Sequence, residues 1–217
     1  TDISNQSELV GFWNRVLAPK FIRFRHILVE GTSNHSAQVL PTLGLRGGER
    51  VIDIGCGFGD TSIELAQLVG PDGAVLGVDC CGAFLDQAQR DAEAAGLARL
   101  TFLEADVQTL RFEPIHDAAF SRFGTQFFDN PVAGLRNIRT ALIRRGKLTM
   151  IVWRALDENS CMNRDRQGRD AKGSAPQFHV LRHPLRVRVR PVAAQEIRCR
   201  ASDGGRARSV LPTLLIL

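Results

Sequence analysis

Short apolar runs alternate with amphipathic segments between residues 46 and 153, and this alternation predicts strands and helices in turn. The apolar runs lie at residues 51–54, 74–79, 100–106, 117–124 and 146–153. The segments between them have the length and period of helices, and they lie at residues 61–69, 83–95 and 131–143. Strands that alternate with helices predict an α/β fold with a doubly wound, mainly parallel sheet, in which the carboxyl ends of the strands meet at one edge.

Residues 1–45 predict a helical layer ahead of this domain. The segment 8–30 is amphipathic and is interrupted by Pro19, which predicts two helical pieces, and a further helix is expected from Ser36 to Leu43. Two apolar faces follow from the spacing: Phe12, Trp13, Val16 and Leu17 on the first piece, and Phe21, Phe24, Ile27 and Leu28 on the second. We expect these helices to dock on the α/β domain and to cover part of a ligand pocket. A helix lying on a membrane surface is a third interpretation.

The sequence VIDIGCGFGD at residues 51–60 joins the first predicted strand to the next helix. Glycine occupies every second position after the strand, at Gly55, Gly57 and Gly59. Without a Cβ, these residues allow positive φ angles and a close approach of a ligand to the backbone. Thr61 and Glu64 predict a capping box at the helix start, where free N–H groups favour a negatively charged group. The stretch therefore predicts a nucleotide-type binding loop.

Two carboxylates follow the next two strands. Asp79 ends the second strand, 20 residues beyond Gly59, and Asp106 ends the third. An acid at the first of these positions is typical of a ribose-binding residue. The loop has the spacing G-x-G-x-G, whereas dinucleotide folds use G-x-G-x-x-G. Asp53, just before the loop, would repel a pyrophosphate but would suit a ligand with an ammonium group. A nicotinamide-dependent oxidoreductase is therefore disfavoured.

Several of these motifs together resemble a known family. The matching stretches are VIDIGCGFGD, Val78-Asp79, EADV at residues 104–107 and SRFGTQFF at residues 121–128. Residues 8–159, and 50–153 most closely, resemble the class I S-adenosylmethionine-dependent methyltransferases of the methyltransferase domain 11/25 type, which are related to quinone-biosynthesis enzymes. The resemblance implies a Rossmann-like sheet with strand order 3-2-1-4-5. It also implies S-adenosyl-L-methionine as cofactor and in-line methyl transfer to a nucleophilic atom of a small molecule.

The resemblance also implies which residues contact the cofactor. The first loop and the acid before it would hold the methionine end, and the next two strand ends would hold the ribose and the adenine. The end of the fourth strand would face the methionine moiety and the methyl group. The residues implied at the methionine end are Asp53, Gly55 and Gly57, and Cys56 and Gly59 of the same loop are also implied as cofactor contacts. Those implied at the ribose and the adenosine are Asp79 and Cys80, and those at the adenine are Asp106 and Val107. Those implied at the methionine moiety and the methyl group are Ser121 and Arg122.

The acceptor side of the site is less defined, because no residue stands out as an obligatory base. His26 and Arg122 are the candidate catalytic residues, and Trp13, His26 and Phe123 are the candidate substrate contacts. No metal site is predicted, because the histidines and cysteines do not form a ligand set of suitable spacing.

The charge of the chain changes sign near residue 160. Residues 1–159 hold 16 Lys and Arg against 19 Asp and Glu, a net charge of −3, whereas residues 160–217 hold 12 against 4, a net charge of +8. We expect a helical cover at 1–45, a cofactor-binding domain at 46–159 and an atypical basic tail at 160–217. The family's final strands have no convincing counterpart in this tail.

Two explanations of the tail stay open. It is either a basic extension that binds nucleic acid or acidic lipid, or an out-of-frame or disordered product of a GC-rich gene. Phe178 is its only aromatic residue, which disfavours base stacking and favours the second explanation. A small-molecule acceptor is therefore preferred, with a nucleic-acid-directed enzyme and a non-catalytic cofactor-binding remnant as alternatives.

The cellular compartment is predicted from the membrane-span, secretory-signal and cysteine patterns of the sequence. No apolar run approaches the roughly 20 residues of a membrane span, and no secretory signal pattern is present. Five cysteines, odd in number and without C-x-x-C spacing, favour a reduced, cytoplasmic protein. The pattern makes no prediction of oligomeric state.

Overall fold

The computed structural model describes residues 8–153, 178–183 and 213–215. It divides the chain into two units, residues 1–147 and 148–217, and the division falls within the fifth strand. The strands of the main sheet are β1 (Arg50–Ile54), β2 (Ala74–Asp79), β3 (Leu100–Glu104), β4 (His116–Arg122) and β5 (Leu142–Trp153). Their order is β3-β2-β1-β4-β5. The predicted fold class and strand order are thereby confirmed.

The centre of the sheet is β1, which pairs in parallel with β2 on one side and with β4 on the other. Val51, Ile52 and Ile54 have no exposed surface. A strand that is buried on both faces is expected to be mostly apolar, which explains Val51, Ile52 and Ile54, and Asp53 is the one charged side chain buried among them. The parallel pairing brings the carboxyl ends of β1 to β4 to one edge of the sheet. A cavity lies at this edge.

Three helices follow these strands: α4 (Asp60–Val69), α5 (Gly82–Ala94) and α6 (Pro131–Ala141). The predicted capping box at the start of α4 is wrong. The helix begins at Asp60, directly after Gly59 in the left-handed conformation, and no side chain caps it. Thr61 and Ser62 are buried in the first turn, and the Ser62 hydroxyl donates to Asp53 of β1.

The N-terminal helical layer consists of five consecutive elements. They are α1 (Glu8–Phe12), a π-helical turn (Trp13–Leu17), α2 (Ala18–Arg23), α3 (Arg25–Val39) and a 3-10 turn (Leu40–Thr42). The predicted break at Pro19 is wrong, because this proline sits in the first turn of α2, where its missing N–H needs no partner. The break falls at Phe24. The separate helix predicted from Ser36 is the last turn of α3 together with the 3-10 turn.

The N-terminal helices pack on the α/β layer through a small apolar cluster. Its buried members are Ala18, Phe58, Cys81 and Phe84, with Trp13, Phe21, Leu28 and Val29 packed against them. Polar contacts add to this packing, since Arg25 pairs with Asp91 of α5. The cover is therefore a packed layer of the first unit.

Within the second unit, the part of β5 from Leu148 to Trp153 pairs antiparallel with β6 (Phe178–His183), and β6 pairs in parallel with β7 (Thr213–Leu215). The remainder of the predicted basic tail lies outside the described residues, and so do both explanations offered for it. In the described part of the chain, no helix combines the length and the hydropathy that crossing a membrane requires.

Candidate functional site

A cavity opens at the carboxyl ends of β1, β2, β3 and β4. It encloses about 1090 Å³ of empty space, counted with its open mouth. Its walls come from the glycine loop, from the segments that follow β2, β3 and β4, and from the N-terminal helices. The position of this cavity matches the usual location of a ligand in an open α/β sheet.

The glycine loop approaches the segment after β4 backbone to backbone. A Cβ built on Gly55 would lie 2.7 Å from the Cα of Gly124, so neither position has room for a side chain. Gly57 differs, because it has a φ of +55° and no atom within 4 Å of a built Cβ. Gly55 therefore fixes the loop, while Gly57 leaves its backbone open to a ligand.

The carboxylate of Asp79 faces this loop. It accepts hydrogen bonds from the N–H of Gly57 at 2.9 Å and from the N–H of Cys81 at 3.0 Å. Burial raises the pKa of Asp79, and its backbone hydrogen bonds act in the opposite direction. Each carboxylate oxygen can accept a second hydrogen bond, so the group retains acceptors for two ligand hydroxyls. This pair of acceptors fits the two hydroxyls of a ribose.

The segment after β3 places Asp106 and Val107 on the cavity wall. The N–H of Gln108 donates to Asp106 at 2.8 Å, and the side chain of Asn137 in α6 donates to the carbonyl of Val107 at 3.0 Å. These contacts hold the segment from two sides. A carboxylate beside a buried apolar residue can accept from the amino group of a purine while the ring packs on the apolar side chain.

Known proteins share this arrangement. A family model described as a methyltransferase domain matches residues 51–146. The chain is 31% identical over 111 residues to an aklanonic acid methyltransferase of Streptomyces sp. strain C5, covering 50% of each protein. It is 33% identical over 109 residues to a ubiquinone/menaquinone biosynthesis C-methyltransferase of Bdellovibrio bacteriovorus, covering 50% of this chain and 46% of the relative.

A solved structure agrees in fold. Phosphoethanolamine N-methyltransferase 2 of Haemonchus contortus, in complex with S-adenosyl-L-methionine, matches with a TM-score of 0.61 at 24% identity, covering 69% of this chain and 36% of that one. Residues 51–146 belong to the class I S-adenosylmethionine-dependent methyltransferases. The predicted family and its cofactor, S-adenosyl-L-methionine, are confirmed. The chain spans about half the length of the two curated relatives, and methyltransferases of 23S ribosomal RNA match over a fifth of their length.

In the methyltransferase domain, Asp53 lies behind the glycine loop. Its side chain is 1% exposed and accepts a hydrogen bond of 2.7 Å from the hydroxyl of Ser62. Burial raises the pKa of Asp53 to about 7, although the bond from Ser62 acts in the opposite direction. Asp53 does not line the cavity. Its contact with the methionine end stays a prediction.

The structure separates the two residues predicted at the end of β4. Ser121 is buried away from the cavity, and its hydroxyl donates to the carbonyl of Ile54 at 2.8 Å. Arg122 lines the cavity and donates to Asp60 and to the hydroxyl of Ser36, both at 2.6 Å. Sequence reasoning missed both partners of Arg122. Asp60 could have been found, since it directly follows the glycine loop.

Two thiols of the methyltransferase domain line the cavity, those of Cys56 and Cys80. Burial raises the pKa of Cys80 to about 12, and the pKa of Cys56 rises as well. Both thiols therefore stay protonated near neutral pH, which suits packing against a ligand and not nucleophilic attack. Gly59 does not line the cavity. A Cβ there would meet Ala88 of α5 at 2.7 Å, so this glycine allows the start of α4 to pack closely against α5.

Two of the three candidate substrate contacts line the cavity and one does not. Trp13 and Phe123 line the cavity, whereas His26 is exposed and does not. Phe123 has a φ of 65°, which is rare for a bulky residue, and its ring packs edge-on against His35 at 5.5 Å. Asn14 is an addition that the sequence did not indicate. Its side chain donates to the carbonyl of Cys80 at 2.9 Å and so joins the π-helical turn to the end of β2.

Proposed function

We propose that this chain is an S-adenosylmethionine-dependent methyltransferase that acts on a small molecule. One observation supports this above the others: the glycine loop, Asp79 and Asp106 open into the same cavity that the N-terminal helices cover. A covered cavity admits a compact acceptor more readily than a macromolecule. The names of the two curated relatives point the same way, since aklanonic acid and the quinones are small molecules.

The bound cofactor supplies an activated methyl group on a sulfonium. An electron pair of the acceptor forms a bond to the methyl carbon, the carbon–sulfur bond breaks with its electron pair going to sulfur, and the acceptor's proton leaves to water. The protein contributes binding, orientation and exclusion of water. Asp79 would hold the ribose hydroxyls, Asp106 and Val107 the adenine, and Arg122 would lie near the methionine moiety.

Cofactor binding is tested by calorimetry on the full chain. Asp79→Ala should weaken the binding of S-adenosyl-L-methionine at least tenfold, because it removes the acceptors for the ribose. Asp72→Ala is the matched control, since Asp72 is exposed in a turn outside the cavity and should leave binding unchanged. Equal binding by the Asp79 variant would refute the ribose contact. Absence of binding by every protein would refute the proposed function.

A nucleic-acid-directed methyltransferase is the second candidate, on the basis of the ribosomal RNA methyltransferase matches and the net charge of +8 in residues 160–217. A screen with radiolabelled cofactor over quinols, phenols, amines and RNA separates the two. Label on RNA would favour the second candidate. Cofactor binding without transfer to any acceptor would favour a non-catalytic remnant.

We also propose a reducing, cytoplasmic setting. The three cysteines of the described residues, Cys56, Cys80 and Cys81, are all free thiols. Thiol titration of the freshly purified chain, with and without prior reduction, tests this: an increase of titratable thiol after reduction would contradict it.

A further inference from the structure

The wall of the cavity beside β4 is aromatic. Phe123, Phe127 and Phe128 line it from the segment after β4, and Trp13 and Phe21 line the same cavity from the N-terminal helices. We name these five residues the aromatic chamber. In the sheet order, β4 lies on the opposite side of β1 from β2 and β3, whose ends carry Asp79 and Asp106. The topology therefore separates the chamber's β4 wall from the two carboxylates that fit the nucleoside.

Rings of the chamber meet nearly at right angles. Trp13 lies 4.9 Å from Phe127 at an interplanar angle of 82°, and 5.3 Å from Phe21 at 76°. Edge-to-face contacts of this kind fix the position of Trp13 while leaving ring faces and edges available to a ligand. Phe127 remains 45% exposed, which is high for a phenylalanine on a cavity wall. The chamber therefore presents apolar ring surface that a flat apolar molecule could cover.

The charges on the cavity wall do not favour an anion. Among the described lining residues, the charged side chains are Asp60, Asp79, Asp106 and Arg122. Arg122 is only 10% exposed and is bonded to both Asp60 and Ser36. Its positive charge is thus compensated, and the cavity keeps two further carboxylates. A phosphate or carboxylate on the acceptor would lose its hydration here without gaining a free cation.

Polar side chains near the chamber are already engaged. Thr32 donates to the carbonyl of Leu28 at 2.8 Å, and the amide of Gln108 donates to Asp106 at 3.1 Å. Recognition in this part of the cavity must therefore depend on shape and ring contact more than on hydrogen bonds.

We propose that the methyl acceptor is an uncharged molecule with a planar aromatic ring, held in the aromatic chamber against Trp13 and Phe127. This inference rests on the proposed function. The transferred methyl would go to a hydroxyl oxygen or to an electron-rich carbon of that ring, and the displaced proton would leave to water. Among the described lining residues there is no histidine, lysine or tyrosine, and the three aspartates there are already bonded to Arg122 or to N–H groups, so the acceptor itself must be readily deprotonated or electron-rich.

Two probes that differ by one carboxylate test this. We would titrate 2-naphthol and 6-hydroxy-2-naphthoate into the full chain saturated with S-adenosyl-L-homocysteine, using calorimetry. The neutral naphthol should bind at least tenfold more tightly than the carboxylated ring. Trp13→Ala and Phe127→Ala should each weaken naphthol binding about tenfold, while the Kd of S-adenosyl-L-homocysteine changes less than twofold. Phe12→Ala is the matched control, because Phe12 is 45% exposed and does not line the cavity.

A further variant tests the charge argument. Asp60→Asn removes the carboxylate that compensates Arg122, and it should improve binding of the naphthoate at least fivefold relative to the naphthol. Equal or tighter naphthoate binding by the unmodified chain would overturn the inference. Failure of both probes to bind, with S-adenosyl-L-homocysteine still bound, would also overturn it and leave the cofactor assignment standing. Loss of cofactor binding itself would instead count against the proposed function.

Discussion

The hydroxyl of Ser62 donates a 2.7 Å hydrogen bond to the carboxyl of Asp53, and both side chains are almost fully buried. The bond joins the first turn of α4 to the end of β1 underneath the glycine loop. It thereby fixes the angle at which the helix leaves the loop. A carboxyl at this depth has few alternative partners, so the pair should contribute to stability and to loop geometry together.

Ser62→Ala should destabilise the protein. The substitution leaves a buried carboxyl without its hydroxyl donor, which costs about 1–3 kcal/mol. Urea denaturation near neutral pH measures the free energy of unfolding. Ser33→Ala is the control, because the Ser33 hydroxyl bonds only to the carbonyl of Glu30 near the surface, and it should change stability by less than about 0.5 kcal/mol. Equal effects of the two substitutions would contradict the structural role of the buried pair.

The pH dependence of stability should carry a contribution from Asp53. Burial raises its pKa from 3.8 to about 7 in the folded protein, so between these values the folded state holds a proton that the unfolded state has lost. This contribution is fully present below pH 3.8 and is lost as the pH rises through 7. From pH 5 to pH 8, it should fall by about 2–3 kcal/mol.

Asp53→Asn isolates this contribution. Unfolding free energies of the two proteins, each measured at pH 5 and pH 8, give the difference that belongs to Asp53. Other titrating groups, such as His35, whose pKa burial lowers to about 4, are common to both proteins and cancel to first order. If the unfolding free energy of the unmodified chain minus that of the Asp53→Asn variant stays constant or grows from pH 5 to pH 8, Asp53 ionises normally in the fold.

Alanine substitutions at two glycines of the loop should differ in their effects on stability and on cofactor binding. Gly55→Ala places a Cβ 2.7 Å from the Cα of Gly124, whereas Gly57→Ala meets no atom within 4 Å. Both carry the cost of a left-handed alanine, about 1–2 kcal/mol, and Gly55→Ala adds overpacking of about 1–3 kcal/mol. Gly57→Ala should instead weaken cofactor binding more than it affects stability. Denaturation and calorimetry on both variants test the division, and similar profiles would contradict it.

Asn14 should slow the release of ligand from the cavity. Its bond to the carbonyl of Cys80 ties the π-helical turn to the domain, and one such bond contributes about 1 kcal/mol, or about fivefold in a rate. Asn14→Ala should therefore speed the dissociation of S-adenosyl-L-homocysteine about fivefold in a stopped-flow displacement. Asn34→Ala, at an exposed position of α3, should have no effect. An unchanged rate in the Asn14 variant would mean that the cover does not retain the cofactor.

Strand ends were predictable from the sequence for a topological reason. Parallel strands bring their carboxyl ends to one edge, so the positions of Asp79 and Asp106 follow once the strands are recognised. The orientation of Asp53 could not be predicted in the same way. β1 is buried on both faces, so its sequence lacks the alternation that shows which way a side chain points.

The N-terminal cover shows a second limit of sequence reasoning. Trp13 and Val16 share a face in a regular helix, but the π-helical turn alters the phase, and Trp13 lines the cavity while Val16 is 39% exposed. The break at Phe24 similarly leaves His26 exposed. The contact of Ser36 with Arg122 links residues far apart in sequence, and no local pattern indicates it.

Phe123 combines an unfavourable backbone conformation with a position on the cavity wall. Its backbone occupies a conformation that glycine adopts freely, and its neighbour in sequence is Gly124. Strain at such a residue amounts to about 1–3 kcal/mol. A substitution that relieves this strain would place glycine at residue 123 and would remove one aromatic ring from the cavity wall. An engineer seeking a more heat-resistant variant should therefore leave this residue alone, because relaxing it would exchange acceptor recognition for thermal tolerance.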